Sequence, residues 1–290
     1  MVRLRDRFST SRCVALMLFF IGVFHNAVAA QGAPVQAERI TIRTVPAAGQ
    51  VVVMRGTQDL TLNVEGPPGL PISGTILGQT NFAVTMKVGA PNAQGQTEAQ
   101  YTVDSLGAET TFNGAPLPIG NVGRNVVGQT FSITFDSDDN IVDVQSGNQL
   151  LRSVLSAGFS LSKLALAIGE STTVHNQMPI PLPAATSLNA TLESTITLQS
   201  VTTEPAGRIA HLAISFTGGM EAASGSPLPM AVTMSGSGTT DVNLDAGYVV
   251  RHEGTITFDA QPPTSPSDGP QLPVKIHGSM KIRGEAEASR

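Results

Sequence analysis

The sequence predicts a mainly β protein of antiparallel strands, and three observations carry that expectation. Apolar residues recur at every second position in segment after segment. The chain holds 29 Gly and 19 Pro and only 13% charged residues, a composition of sheets and turns rather than helices. Two long stretches also repeat one another's order of strands and turns. Alternation with period two lays one side of a strand on a core and the other in water, as in antiparallel sheets; parallel strands covered on both faces would read as unbroken apolar runs.

The first thirty residues are of another kind. Arg3, Arg5, Arg7 and Arg12 face a single Asp6, an apolar run fills Cys13 to Phe24, and Ala27-Val28-Ala29-Ala30 supplies small residues. Residues 1–30 read as a secretory signal that is cleaved. The run is shorter than the roughly 20 apolar residues that cross a bilayer, so no stable membrane span is expected after cleavage. Cys13, the only cysteine, opens the apolar run, whereas a lipid-modified cysteine would follow it. The mature chain would therefore act in the periplasm or outside the cell, without disulfide or thiol chemistry. It would carry 13 basic and 21 acidic residues, a net charge of −8 with no cluster of either sign. That excludes nucleic acid as an expected partner. With no Trp, two Tyr and seven Phe after cleavage, stacked recognition of sugars or bases is disfavoured.

Residues 31–145 read as a first antiparallel β unit. Strands are expected at 39–45, 51–54 and 59–64, followed by the alternation Phe82, Val84, Met86, Val88, a strand at 98–104, then Phe131, Ile133, Phe135 and a return strand at 141–144. Residues 146–170 break the pattern: Leu151, Val154, Leu155 and Phe159 fall at helical spacing, Ser146 and Gln149 suit a capping box, and Gly169 suits a stop. One central helix is expected there. Residues 171–290 read as a second β unit, with strands at 194–201, 208–217, 240–245 and 248–251, the pair Ile256 and Phe258, and a closing strand at 274–282. Gly114-Ala115-Pro116-Leu117-Pro118 returns 111 residues later as Gly225-Ser226-Pro227-Leu228-Pro229, and the Asp136 turn 109 residues later at Asp245. A duplicated unit accounts for both. The expected architecture is a curved half-open barrel or two packed half-barrels, with the helix beside or inside the concave face.

The succession of curved strands, a short central helix and the step Ile168-Gly169-Glu170-Ser171 into a second set of strands resembles a family of uncharacterised secreted bacterial β-rich proteins. Their half-barrel style is similar to that of the carriers of the lipoprotein-sorting system. The resemblance implies a fold and an envelope location, and brings no catalytic residues with it.

Local chemistry is sparse. Ser160-Leu161-Ser162-Lys163 fits S-x-x-K, but the S-D-N and K-T-G elements that complete such a site are missing, which leaves a solvated helix end. Asp136, Asp138 and Asn140 open like a calcium loop, yet Ile141 and Gly147 stand where Gly and Glu belong, so a hairpin turn is the expected reading and weak calcium binding the alternative. Four histidines remain after cleavage, none spaced with another as metal ligands. His211 and His277 fall on the polar phase of their strands, while His252 shares the phase of Tyr248, Val250, Ile256 and Phe258 and is expected to point inward. Asn189-Ala190-Thr191 is a glycosylation sequon, meaningful only in a eukaryotic pathway. No cofactor is implied. The expected function is non-enzymatic: an exported envelope protein holding an apolar, lipid-like molecule or a protein partner in a β groove. Phe82, Met86, Phe131, Phe216 and His252 would line the groove, with Leu151, Leu155 and Phe159 of the helix as plug or lid. A β scaffold with a filled interior and a hydrolase with dispersed site residues are the alternatives.

Overall fold

The computed structural model describes residues 38–66, 73–117, 126–146, 163–182, 186–222, 231–261 and 274–289. These form fourteen strands, beginning with β1 (Ile40–Ile42), β2 (Val51–Glu65), β3 (Gly74–Val88), β4 (Thr97–Phe112) and β5 (Ala115–Pro116). Next come β6 (Thr130–Phe135), β7 (Ile141–Ser146), β8 (Leu164–Leu166) and β9 (Ser171–Leu182). The last five are β10 (Thr186–Glu204), β11 (Gly207–Ala222), β12 (Ala231–Asn243), β13 (Tyr248–Gln261) and β14 (Lys275–Ala288). Twelve make one antiparallel sheet in the order β7-β6-β4-β3-β2-β14-β13-β12-β11-β10-β9, with β5 beside β4, and β1 pairs with β8 in a separate ribbon. β14 pairs with β13 on one side and β2 on the other, so strands β2–β7 and β9–β14 belong to one continuous sheet. Among the described residues the path of paired strands ends at β7 and β9.

The expected central helix is corrected by the strands that occupy the described ends of its span. Ser146 belongs to β7, and Leu164-Ala165-Leu166 is β8, with both leucines buried and Ala165 exposed. Leu and Ala favour helix in isolation, but that preference is a few tenths of a kcal/mol per residue. Pairing with Ile40–Ile42 and burial of Ile42, Leu164 and Leu166 outweigh it. Among the described residues there is no helix. Residues 147–162, with Leu151, Leu155, Phe159 and most of the S-x-x-K segment, lie outside the described residues.

The register separates the sheet into two unlike faces. On β2 and β14 one face carries Val52, Met54, Gly56, Gln58, Leu60 and Leu62 opposite Ala288, Ala286, Gly284, Ile282, Met280 and Gly278. The other carries Arg55, Thr57, Asp59 and Thr61 opposite Glu285, Arg283, Lys281 and Ser279. The division continues across β13, β12, β11 and β10, where Ile256, Phe258, Met234, Leu212, Ile214, Phe216, Leu192 and Ile196 are buried while Thr255, Thr257, Ser235, Ser237, Ser215 and Thr217 are exposed. Apolar burial is the force that fixes the register, since a slip of one residue would exchange the faces.

Three glycines on the apolar face lie under aromatic rings. A Cβ at Gly56 would sit 2.4 Å from Phe82, one at Gly236 2.4 Å from Phe216, and one at Gly278 2.6 Å from Phe258. In each case the ring comes from the neighbouring strand and lies over backbone, the arrangement that offsets a glycine's weakness in a sheet. Residue pairing skips at Ala83/Val84, Leu198/Ser200 and Asp241/Val242. These three line up across the sheet along the row Ala83, Arg55, Glu285, Arg251, Asp241 and His211, while a further skip, at Thr134/Phe135, lies apart between β6 and β7. A bulge bends its strand, and aligned bulges bend the sheet along one crease, as a sheet of this width needs in order to curl. The core divides accordingly, with one cluster around Met280, Phe258 and Phe216 and others around Val52, Met86 and Phe131, and around Leu198, Leu212 and Val242. The β1–β8 ribbon packs into the last of these.

Candidate functional site

The residues expected to line a groove all stand on the apolar face, in different parts of it. Phe82 covers Gly56. Met86, 4% exposed, and Phe131, 8% exposed, belong to the cluster near Val52, where the Phe131 ring stacks parallel to Tyr101 with centroids 5.0 Å apart. Burial pushes the Tyr101 hydroxyl far above its ordinary pKa. Phe216 lies in the cluster of Leu60, Leu192 and Met280. His252 faces the same side, with Nδ1 2.8 Å from Thr240 Oγ1, and burial lowers its pKa, favouring the neutral ring.

The interior also holds polar side chains that the sequence reading passed over. Gln58 is 2% exposed, Ser194 is fully buried and Thr110 is 7% exposed. Among the described residues, neither amide atom of Gln58, nor Ser194 Oγ, nor Thr110 Oγ1 has a hydrogen-bond partner. Gln58 was findable, because it shares the inward phase of Gly56 and Leu60.

The Asp136 segment forms a hairpin turn. Asp136 Oδ1 accepts from the backbone N–H groups of Asp138 and Asn140, both at 2.9 Å, and Asn140 Nδ2 donates to Oδ2 at 3.0 Å. Desolvation pushes the Asp136 carboxyl up, and the bonds from Asn140 and Asp138 bring it net below its usual range. Asp139, with φ of 63°, is fully buried and receives Arg43 Nε at 3.0 Å on Oδ2 and Nη2 on Oδ1. The turn thereby ties β1 to the β6–β7 hairpin. Among the described residues no group of three or more His, Cys, Asp or Glu is placed to hold a metal ion.

On the polar face, His211 stands between a hydroxyl and a carboxylate. Its Nε2 is 2.8 Å from Thr202 Oγ1 and its Nδ1 is 2.8 Å from Asp241 Oδ1, with Arg251 Nη1 3.7 Å from Asp241 Oδ2. This is the order of a nucleophile, base and orienting acid. It lies on the crease, and Thr202 is open to water. His277 pairs with Asp259 at 2.6 Å and His175 with Glu193 at 3.3 Å. Farther along this face is a groove of about 520 Å³, whose walls include Thr195, Ser215, Ser237, Thr255 and Glu193.

The sequence matches no protein-family profile and no curated protein. Its fold is similar to solved structures at low overlap. An outer membrane channel from Pseudomonas putida F1 shares 8% identity and a TM-score of 0.30, over 89% of this chain and all of that one. OccK5 (OpdH) from Pseudomonas aeruginosa shares 7% identity and a TM-score of 0.26, over 84% of this chain and all of that one. Likeness at this level carries no argument about activity. No helix among the described residues is long and apolar enough to cross a membrane.

Proposed function

We propose that the chain is an exported, non-enzymatic protein of the bacterial envelope, in the periplasm or outside the cell, that holds an apolar, lipid-like molecule against the apolar face of its sheet. One observation carries the reading: a single wide sheet has one face mainly apolar and the other polar, and among the described residues its hydrogen bonding ends at β7 and β9. A transmembrane barrel needs its apolar band on the outside. Here the apolar side is the buried one, as in a water-soluble carrier. Phe82, Met86, Phe131, Phe216 and His252 would contribute the walls. Native mass spectrometry of the mature protein, purified without detergent, tests this. Co-purifying apolar molecules of discrete mass are expected; a ligand-free mass that takes up no added apolar compound would favour a filled β scaffold.

A second reading, a hydrolase, is favoured by Thr202, His211 and Asp241. Its test is hydrolysis of a short-chain nitrophenyl ester. Activity abolished by both Thr202→Val and His211→Gln would establish it, and activity equal in those variants would remove it.

A further inference from the structure

We infer that Gln58 is the polar anchor of the interior, and that the molecule held there is a neutral amphiphile carrying one hydroxyl, ester or amide group. This rests on the apolar-ligand reading above and adds the chemistry of the ligand's head.

A buried amide with both of its polar atoms unpaired is costly, and native interiors rarely tolerate one without a water or a ligand to serve it. Gln58 is 2% exposed and has neither bond. The row of residues around it runs Ala108, Thr80, Gln58, Ile282, Gly254, Gly238, Ile214 and Ile196. Gly254 and Gly238 differ from the ring-covered glycines. The nearest atoms to a Cβ on either are backbone, apart from His252 Nε2 at 3.7 Å from Gly254, so the face is lower there than under Phe82, Phe216 or Phe258. Strands in a sheet lie about 4.8 Å apart, which sets this low stretch about 10 Å from Gln58, within the length of a short acyl chain. Ser194, also unpartnered, stands in the adjoining row beside Phe216.

The charge of the head follows from the neighbours. In the Gln58 row and the two flanking it, from Leu106 to Leu198 and from Thr110 to Val174, the ionisable side chain is His252, and burial favours its neutral form. Arg55, Lys281 and Arg283 belong to the opposite face. A carboxylate or phosphate would enter without a counter-charge, at a prohibitive desolvation cost. A hydroxyl, ester or amide needs only what Gln58 offers, one donor group and one acceptor.

The test uses the mature protein and three probes of equal chain length, decane, decanol and decanoate, with affinities from calorimetric titration at pH 8. Decanol is expected to bind about tenfold more tightly than decane, the factor that one good buried hydrogen bond supplies. Decanoate is expected to bind more weakly than decanol. Gln58→Met, close in shape, should abolish the preference for decanol while leaving decane binding unchanged, and Ser194→Ala should leave most of the preference. Thermal melting checks that each variant is folded. An undiminished decanol preference in Gln58→Met, or decanoate binding more tightly than decanol, would overturn the anchor while leaving the apolar-ligand reading intact. Failure of both decane and decanol to bind the wild-type protein would remove that reading and the anchor with it.

Discussion

Replacing Gly278 by Ala adds a single methyl group at a place where the structure leaves no room. That Cβ would lie 2.6 Å from Phe258 Cε2 and 2.7 Å from Leu62 Cδ2, whereas relaxed carbon contacts need about 3.5 Å or more. Phe258 is itself buried and packed in the cluster with Met280 and Ile256, so it cannot swing away cheaply. Overpacking of this kind costs about 1–3 kcal/mol. Removing a glycine from a strand returns about 0.5–1 kcal/mol of backbone entropy, which from the middle of both ranges leaves a net loss of about 1 kcal/mol. For a chain of this size that lowers the melting temperature by about 2 °C. Gly107→Ala is the control, because nothing lies within 4 Å of its Cβ and only the entropic gain remains, about 1–2 °C upward. Thermal melts by circular dichroism, with urea titrations to confirm unchanged m-values, measure both. Adding Phe258→Leu to Gly278→Ala should cost less than the sum of the single variants, since the ring that clashes is gone. A Gly278→Ala protein as stable as wild type would refute the claim that aromatic rings seal these glycines.

Three further outcomes follow from particular groups. Arg43→Met strands the buried Asp139 carboxylate and should cost about 2–3 kcal/mol, less than for a fully buried pair because water reaches Arg43, with Asp139→Asn in the same background recovering part of it in urea titrations. His252 has its folded pKa lowered by burial, so below the ordinary value of 6.5 the unfolded chain takes up a proton that the folded chain refuses. Stability should therefore fall as pH drops from 6.5 toward 5, and His252→Gln should flatten that part of the profile in melts across pH. Asp136 already accepts three N–H groups, so melting in millimolar calcium and in chelator should coincide, and a calcium-dependent rise would show that the turn opens to coordinate the ion.

Period-two alternation identified the long strands and the inward side of Phe82, Met86, Phe131, Phe216 and His252, because burial of one face constrains every second residue. It could not follow a bulge. The extra residue Val250 between the pairs Asp241–Arg251 and Val242–Val249 shifts the phase, so the inward setting of His252 does not transfer to Tyr248 by counting. The segment around Leu164 and Leu166 misled for a different reason: three residues are too few to show a period, and their partner, Ile40–Ile42, lies more than 120 positions away. Distance in the chain likewise hid the Arg43–Asp139 pair and the alignment of the bulges. Gln58 was visible in the pattern, but its missing partners are a property of three-dimensional surroundings.

The pairing of β14 with β2 changes how the chain can be assembled. Lys275 opposes Glu65, Ala288 opposes Val52, and the N–H of Ser289 donates to Val51 O at 2.8 Å, so the two ends of the main sheet's chain lie side by side. The other pairings along that sheet join strands that are near neighbours in sequence, and each can form by local closure. β2 alone keeps one edge unpaired until β14 arrives, a wait that raises contact order and slows completion. Linking the ends and reopening the chain between β7 and β8 would turn the sheet into an uninterrupted meander from β9 to β7. Such a circular permutant should reach the same fold faster, with the slow step of the natural chain removed.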